Sequence, residues 1–260
     1  MGVLNVTPDS FSDGGRFVDS DSARRQAELM LEAGASIIDI GGESTRPGAE
    51  AVSEQQELDR VLPVIEMLRA YTDQPISVDT SKAAIMRAAV AAGASMINDV
   101  LALQAVGALE AAAELGVPVC LMHMQGQPRT MQVDPRYNDV VRDVAEFLRE
   151  RAAAAEAAGI QREHIIVDPG FGFGKSHAHN VELLANLRQL RDLGLPVLVG
   201  LSRKSSLGEL SGRDVNARMP ASLAAATIAV MNGAQIVRAH DVKETVDAVK
   251  VAQAVMEARK

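Results

Sequence analysis

Three acceptor side chains, Asp79, Asn98 and Asp168, stand at the ends of short apolar runs. Four basic ones, Arg46, Lys204, Arg238 and His240, follow other runs of the same kind. Carboxylates in such positions can accept hydrogen bonds from a polar ligand edge, and the amide of Asn98 can accept and donate at once. The basic groups suit an anionic, phosphorylated ligand, Arg through its planar fork and Lys as a point charge. Singly, each cation reads equally well as solvated surface charge, the usual fate of Lys and Arg. The pattern is what carries meaning. Asn5, Glu43-Ser44-Thr45-Arg46, Asp79, Asn98-Asp99, His123, Asp168, Ser202-Arg203-Lys204 and Arg238 with His240 all fall where an apolar strand stops. Polar residues at successive strand ends converge on one face of an α/β fold and mark a shared site there.

Three loops extend this pattern. In Val3 to Gly15 an apolar strand stops at Asn5, and Pro8 forbids helix at Thr7; a small, polar, glycine-containing stretch with Phe11 follows. Asp168 to Lys175 alternates Gly and Phe, allowing close backbone approach beside an apolar surface for a flat ligand. It is not a P-loop, because Lys175-Ser176 does not follow glycines at the required spacing. Gly200 to Ser206 places two cations before a short helix, whose N-terminus favours a carboxylate or phosphate. His177-Ala178-His179 has no third ligand nearby and reads as an exposed loop pair, not a metal site. His123, between two methionines, reads as site wall.

The elements that must position these residues follow a repeated phrase: a helical pattern ends in Gly, and an apolar strand begins a few residues later. It occurs at Gly34, Gly93, Gly116, Gly159, Gly194 and Gly233. Strands are expected near 2–7, 37–40, 75–79, 96–99, 118–122, 165–168, 197–200 and 236–238. Helices are expected near 20–33, 53–71, 81–92, 107–115, 140–158, 180–193, 219–232 and 243–258, with a kink or break at Pro63. Eight strand–helix units imply a parallel sheet with right-handed crossovers, closed as a single (β/α)8 TIM barrel spanning residues 1–260. A doubly wound sheet would usually carry a glycine-rich turn after its first strand, and Asn5-Val6-Thr7-Pro8-Asp9 is not one.

The 260 residues are 47% hydrophobic, enough for one large core, and the net charge of −8 disfavours nucleic acid or a membrane surface as partner. Only 3% are aromatic, too few for a base-stacking platform. No apolar run is long enough to span a bilayer, and no secretory signal pattern is present, so a cytoplasmic protein is expected. The one cysteine, Cys120, lies in an apolar strand and reads as a core residue.

Together these stretches resemble the dihydropteroate synthase family, the folate-pathway enzymes blocked by sulfonamides. The matching motifs are Asn5 to Gly15, Gly42-Glu43-Ser44-Thr45-Arg46-Pro47-Gly48, Ser77-Val78-Asp79-Thr80, Ile97-Asn98-Asp99-Val100, Asp168 to Lys175, Ser202-Arg203-Lys204-Ser205 and Arg238-Ala239-His240-Asp241. The resemblance implies a TIM barrel, usually a homodimer. It implies joining of 6-hydroxymethyl-7,8-dihydropterin diphosphate to 4-aminobenzoate with release of pyrophosphate, assisted by Mg²⁺, along an SN1-like path shielded from water by the first two loops. By motif, Asp79, Asn98, Asp168 and Lys204 would hold the pterin; Thr45, Arg238 and His240 would hold the diphosphate, with Asn5 at the Mg²⁺. Phe11, Arg46, Pro47, Phe173 and Ser205 would hold the 4-aminobenzoate, and Arg46, Lys204 and Arg238 would carry catalysis. Family members usually have a short segment before the first strand that helps cover the barrel bottom, whereas Met1 here adjoins that strand. A pterin-barrel methyltransferase and a catalytically silent pterin-binding paralogue are the competing expectations.

Overall fold

A computed structural model describes residues 1–7, 20–44, 52–127 and 130–259. Its described residues form eight strands: β1 (Gly2–Asn5), β2 (Ile38–Gly41), β3 (Ile76–Asp79), β4 (Met96–Asp99), β5 (Val119–Met122), β6 (Ile165–Asp168), β7 (Leu198–Val199) and β8 (Ile236–Val237). They alternate with α1 (Ser20–Glu32), α2 (Glu54–Tyr71), α3 (Ala83–Ala91), α4 (Ala108–Leu115), α5 (Val140–Ala157), α6 (His177–Ala185), α7 (Ser205–Ser211), α8 (Met219–Met231) and α9 (Val242–Glu257). Strands β1 to β6 pair in parallel in chain order, and β7 pairs with β8. Parallel bridges from Val167 to Val197 and from Gly2 to Ala239 join the two sheets at both edges. The strands therefore close into a (β/α)8 TIM barrel, as expected, with no free edge.

Strand alternation sorts the core into two parts. Ile38, Ile40, Ile76, Val78, Ile97, Val119, Leu121, Ile165 and Val167 point outward and are fully buried in the main core with residues of the helices. Met96, Cys120, Ile166 and Leu198 form a separate cluster, packed by Met1, Ile37 and Ile236. These share strand parity with the polar strand-end residues, so the cluster fills the lower barrel and leaves the upper layer polar. Cys120 is a buried core residue, as its strand context implied.

Two expectations need correction. Helix α2 runs unbroken through Pro63. Pro63 and Asp59 both lie on the exposed face, so the carbonyl left without an N–H partner is open to water, while Val61, Val64, Ile65 and Leu68 anchor the buried face. The segment expected as one helix over 180–193 is α6 followed by a 3-10 helix, Leu187–Leu193. Helix α6 starts three residues early because Ser176 and His179 form a reciprocal capping box. It stops at Asn186, whose amide turns back to the Glu182 carbonyl at 2.9 Å. His177 and His179 thus sit in a helical first turn, not in a loop.

Candidate active site

The upper layer of the barrel is set by register. Asn5 pairs with Gly41, Gly41 with Asp79, and Asp79 with Asn98; on the other side Met122 pairs with Asp168. A Cβ placed on Gly41 would lie 3.7 Å from both Asn5 Oδ1 and Asp79 Oδ2, so these two side chains face each other across a gap that glycine leaves open.

Arg238, just beyond β8, reaches over this layer. Its Nε donates to Asp39 Oδ2 at 2.6 Å and its Nη2 to Asp79 Oδ2 at 2.8 Å. Asn98 Nδ2 donates to the same Asp39 oxygen at 3.2 Å. Burial opposes the charge on Arg238, but Asp39 and Asp79 outweigh it and hold its pKa above the usual arginine value. The Arg238 side chain keeps 21% of its surface exposed even while its guanidinium is clamped by the two carboxylates. Asp39 is fully buried and had no role in the sequence reading. Its one signal was a carboxylate inside Ile37-Ile38-Asp39-Ile40, an apolar run that gives a charge no reason to be there unless a partner waits inside the barrel.

Asp168 accepts from the Gly170 N–H at 2.7 Å. Burial raises its pKa to about 6 against that bond and the pull of Lys204. Burial likewise raises Asp79 to about 7 despite Arg238, and lowers Lys204 to about 8 despite Asp168. The Lys204 ammonium lies 4.1 Å from the centroid of the Phe173 ring, a cation–π distance. Asp168, Lys204 and Phe173 thus form one wall, with a carboxylate acceptor, a donor and an apolar plane.

The glycines of Asp168 to Lys175 are demanded by close backbone approach. A Cβ on Gly170 (φ 68°) would overlap the His123 carbonyl oxygen, and one on Gly174 (φ 62°) would overlap that of Gln125. Lys175, which the sequence reading gave no role, is 2% exposed and locks this loop. It donates to His123 Nδ1 at 2.8 Å and to the carbonyls of Gly170 and Phe173 at 3.0 and 3.1 Å. Burial lowers His123 to about 2, so its ring is neutral, and it packs edge-on against Phe147. His123 is therefore scaffold behind the site.

Several strand-end residues turn elsewhere. Asp99 faces the helix layer and caps the turn at Leu101 and Leu103 through 2.8 Å bonds. Arg203 pairs with Asp241 at 2.5 and 3.0 Å, strapping the β7 and β8 ends together, so of the adjacent cations Lys204 is the one near Asp168. Glu43 pairs with Lys82. His240 Nδ1 lies 3.0 Å from Ser202 Oγ. Ser205 is exposed at the start of α7, directly after Lys204. Phe11, Thr45, Arg46 and Pro47 lie outside the described residues. For a metal, the donor set here is the Asn5 amide oxygen; among the described residues no group of three or more acidic, His or Cys side chains is placed to hold an ion. A single neutral oxygen with ligand phosphates completing the shell fits Mg²⁺, which retains waters and rarely takes an all-protein cage.

Residues 1–240 match the family described as pterin binding enzyme. The chain is 53% identical to the dihydropteroate synthase of Escherichia coli over 259 residues, which cover all of this chain and 92% of that protein. It superposes on the Yersinia pestis dihydropteroate synthase crystallised with a sulfonamide drug complex at a TM-score of 0.95 and 55% identity, covering 99% of this chain and 94% of the other. A Xanthomonas albilineans dihydropteroate synthase in complex with 7,8-dihydropteroate matches at a TM-score of 0.90 and 54% identity, over 98% and 92% of the two chains.

Proposed function

Because the chain belongs to the pterin-binding enzyme family as a dihydropteroate synthase, we propose that its barrel mouth joins 6-hydroxymethyl-7,8-dihydropterin diphosphate to 4-aminobenzoate, yielding 7,8-dihydropteroate and pyrophosphate. The observation that supports this reading most is the clamp of Arg238 between Asp39 and Asp79, near enough to Asp168 and Lys204 to act on both electrostatically. Acceptors, donors and an apolar plane gathered in this way suit a flat, hydrogen-bonding ring.

Asp168 accepts the two adjacent N–H groups of the pterin's amino-pyrimidine edge. Asn98, oriented by its bond to Asp39, and Asp79 complete that edge, and Lys204 donates to the ring carbonyl and nitrogen. Arg238 stacks its plane on the ring and turns toward the diphosphate, which His240 and Thr45 also bind. Asn5 would hold Mg²⁺, which when bound adds positive charge to the leaving pyrophosphate. Arg46, Lys204 and Arg238 supply fixed positive charge as the carbon–oxygen bond to pyrophosphate breaks in an SN1-like step. The 4-aminobenzoate amine then attacks the pterin methylene carbon and loses its proton to water; the arylamine is neutral at pH 7, so no strong base is required. Phe11, Arg46, Pro47, Phe173 and Ser205 hold this second substrate.

The whole of residues 1–260 serves as one pterin-binding barrel in this reading, in a cytoplasmic homodimer. Among the described residues no helix is long and apolar enough to cross a membrane. Thirteen-residue α8 carries no charged side chain, and beside it Ile228 of α8 and Val251 and Val255 of α9 are exposed, Val251 at 64%. A helix apolar all round is ordinarily covered on every side. Sedimentation equilibrium should return twice the chain mass; a monomer at micromolar concentration would rule this assembly out.

The decisive experiment supplies pterin diphosphate, 4-aminobenzoate and Mg²⁺ and follows pyrophosphate. Release that yields dihydropteroate and stops with EDTA is expected; pterin binding without release would instead fit a silent paralogue.

Asp168 also sets a pH dependence. A protonated carboxyl loses one acceptor and gains an unwanted donor, so pterin affinity should fall as pH drops through about 6, by up to roughly tenfold per unit. Asp168→Asn should weaken binding by about 1–3 kcal/mol and remove that dependence. Calorimetry across pH 5 to 8 reads both, and an unchanged affinity in the variant would sink the assignment.

A further inference from the structure

Lys82 lies three residues past β3, and its side chain leaves the barrel mouth and turns back toward β2 and α2. Its ammonium donates to Glu43 Oε2 at 2.6 Å, Glu57 Oε2 at 2.5 Å and the Val52 carbonyl at 2.8 Å. The Val52 N–H in turn donates to Glu43 Oε1 at 3.2 Å. Alongside, Arg60 Nη1 donates to the Gly42 carbonyl at 2.7 Å. A Cβ on Gly42 would meet Val61 Cγ1 at 2.8 Å, so α2 presses directly on the chain leaving β2. One ammonium therefore ties together Glu43 and Val52, which flank the stretch containing Thr45, Arg46 and Pro47 on either side.

A stabilising role alone accounts poorly for this cluster. Glu57 is 1% exposed, and its Oε1 has no hydrogen-bond partner among the described residues. Burying the Glu57 carboxylate against a half-buried ammonium recovers little over an apolar contact of the same shape, because desolvation offsets the Coulombic gain. What such a cluster does supply is a defined geometry, since three donors of one tetrahedral group fix three acceptors at once.

We propose that Lys82 is a positioning residue for the second substrate: through Glu57 it fixes Glu43 and Val52, the described residues on either side of the sequence that contains Thr45, Arg46 and Pro47. This rests on the roles given above to Arg46 and Pro47. It touches neither the pterin wall nor Arg238, so its loss has a signature different from general destabilisation.

The test compares Lys82→Met, Lys82→Arg and Arg46→Ala with the unaltered protein, by steady-state kinetics and by calorimetry of pterin diphosphate binding. For Lys82→Met the pterin dissociation constant should stay within about twofold, while KM for 4-aminobenzoate rises and kcat falls, each by about fivefold or more. Lys82→Arg should restore most of the loss, because a guanidinium can fork to both carboxylates. Unchanged KM and kcat in Lys82→Met, or an equal loss of pterin affinity, would overturn the proposal while Arg46→Ala remained impaired. An unimpaired Arg46→Ala would instead remove the functional reading on which it rests. Should Lys82→Met fail to fold, Glu43→Gln keeps the Lys82–Glu57 pair and should show the same split at about two- to threefold; no split there overturns the proposal.

Discussion

Arg238→Met should destabilise the protein by about 3–5 kcal/mol, the usual cost of removing one partner from a buried charge cluster, and lower the melting temperature on the order of 10 °C. Methionine fills much of the volume but leaves Asp39 and Asp79, both buried, without the cation that bridges them. The loss should depend on pH, and its sign follows from Asp79. That carboxyl already titrates at about 7 with Arg238 holding it down, and without Arg238 it rises further. A carboxyl whose folded pKa exceeds its unfolded value makes the folded state bind more protons, so stability falls as pH rises from about 4 through 7 and beyond. The variant should therefore approach the parent's stability near pH 4 and diverge from it above neutrality. Thermal melts at several pH values check this, and a pH-independent difference would mean the two carboxylates do not depend on Arg238. On the role proposed above for Arg238, turnover should also fall at least about a hundredfold.

Gly170→Ala should cost about 3 kcal/mol or more, summing a left-handed backbone held by a residue with a Cβ and the overlap with the His123 carbonyl oxygen. The collision cannot be relieved cheaply. The His123 N–H is bonded to the Asp168 carbonyl at 2.9 Å, and Lys175 holds both the Gly170 carbonyl and His123 Nδ1. Any shift also moves the Gly170 N–H off Asp168 Oδ1, so pterin affinity should drop together with stability. Denaturant unfolding and calorimetry on the same sample test this. Full pterin affinity in a stable variant would show that the loop can yield, contrary to its packing. Gly116→Ala is the contrast: its φ is similar, 64°, but an added Cβ meets nothing within 4 Å, so only the backbone cost applies.

Much of the fold was legible because it is written locally. Apolar runs of four residues can only be buried strands when glycine-closed helices separate them, and eight such units bring a sheet to closure. The boundaries that went wrong depended on side-chain choices with weak local signatures. His179 stands at the third helical position of α6, where Glu or Gln would have announced a capping box, and Pro63 is tolerated because its face of α2 is wet. Parity along a strand also placed Asn5, Asp79, Asn98 and Asp168 on the inner face, since alternate residues of a strand share a side whatever the rest of the chain does.

Parity does not say who meets whom. Asp39 and Arg238 are 199 residues apart in sequence, and Asp79 and Arg238 are 159 apart. Only barrel closure through the β8–β1 contact brings the last strand beside the first three. The same holds for Lys204 and Arg203, adjacent cations of which one lies over Phe173 and the other straps to Asp241, and for Lys82, whose carboxylates lie 39 and 25 residues before it. The sequence by itself determined the periodicity, the inward polar layer and the glycines of the Asp168 loop, because each follows from the geometry of a few neighbouring residues. The tertiary structure alone decided which carboxylate clamps which cation, because register and closure are settled by the burial of the whole core and not by any segment of it.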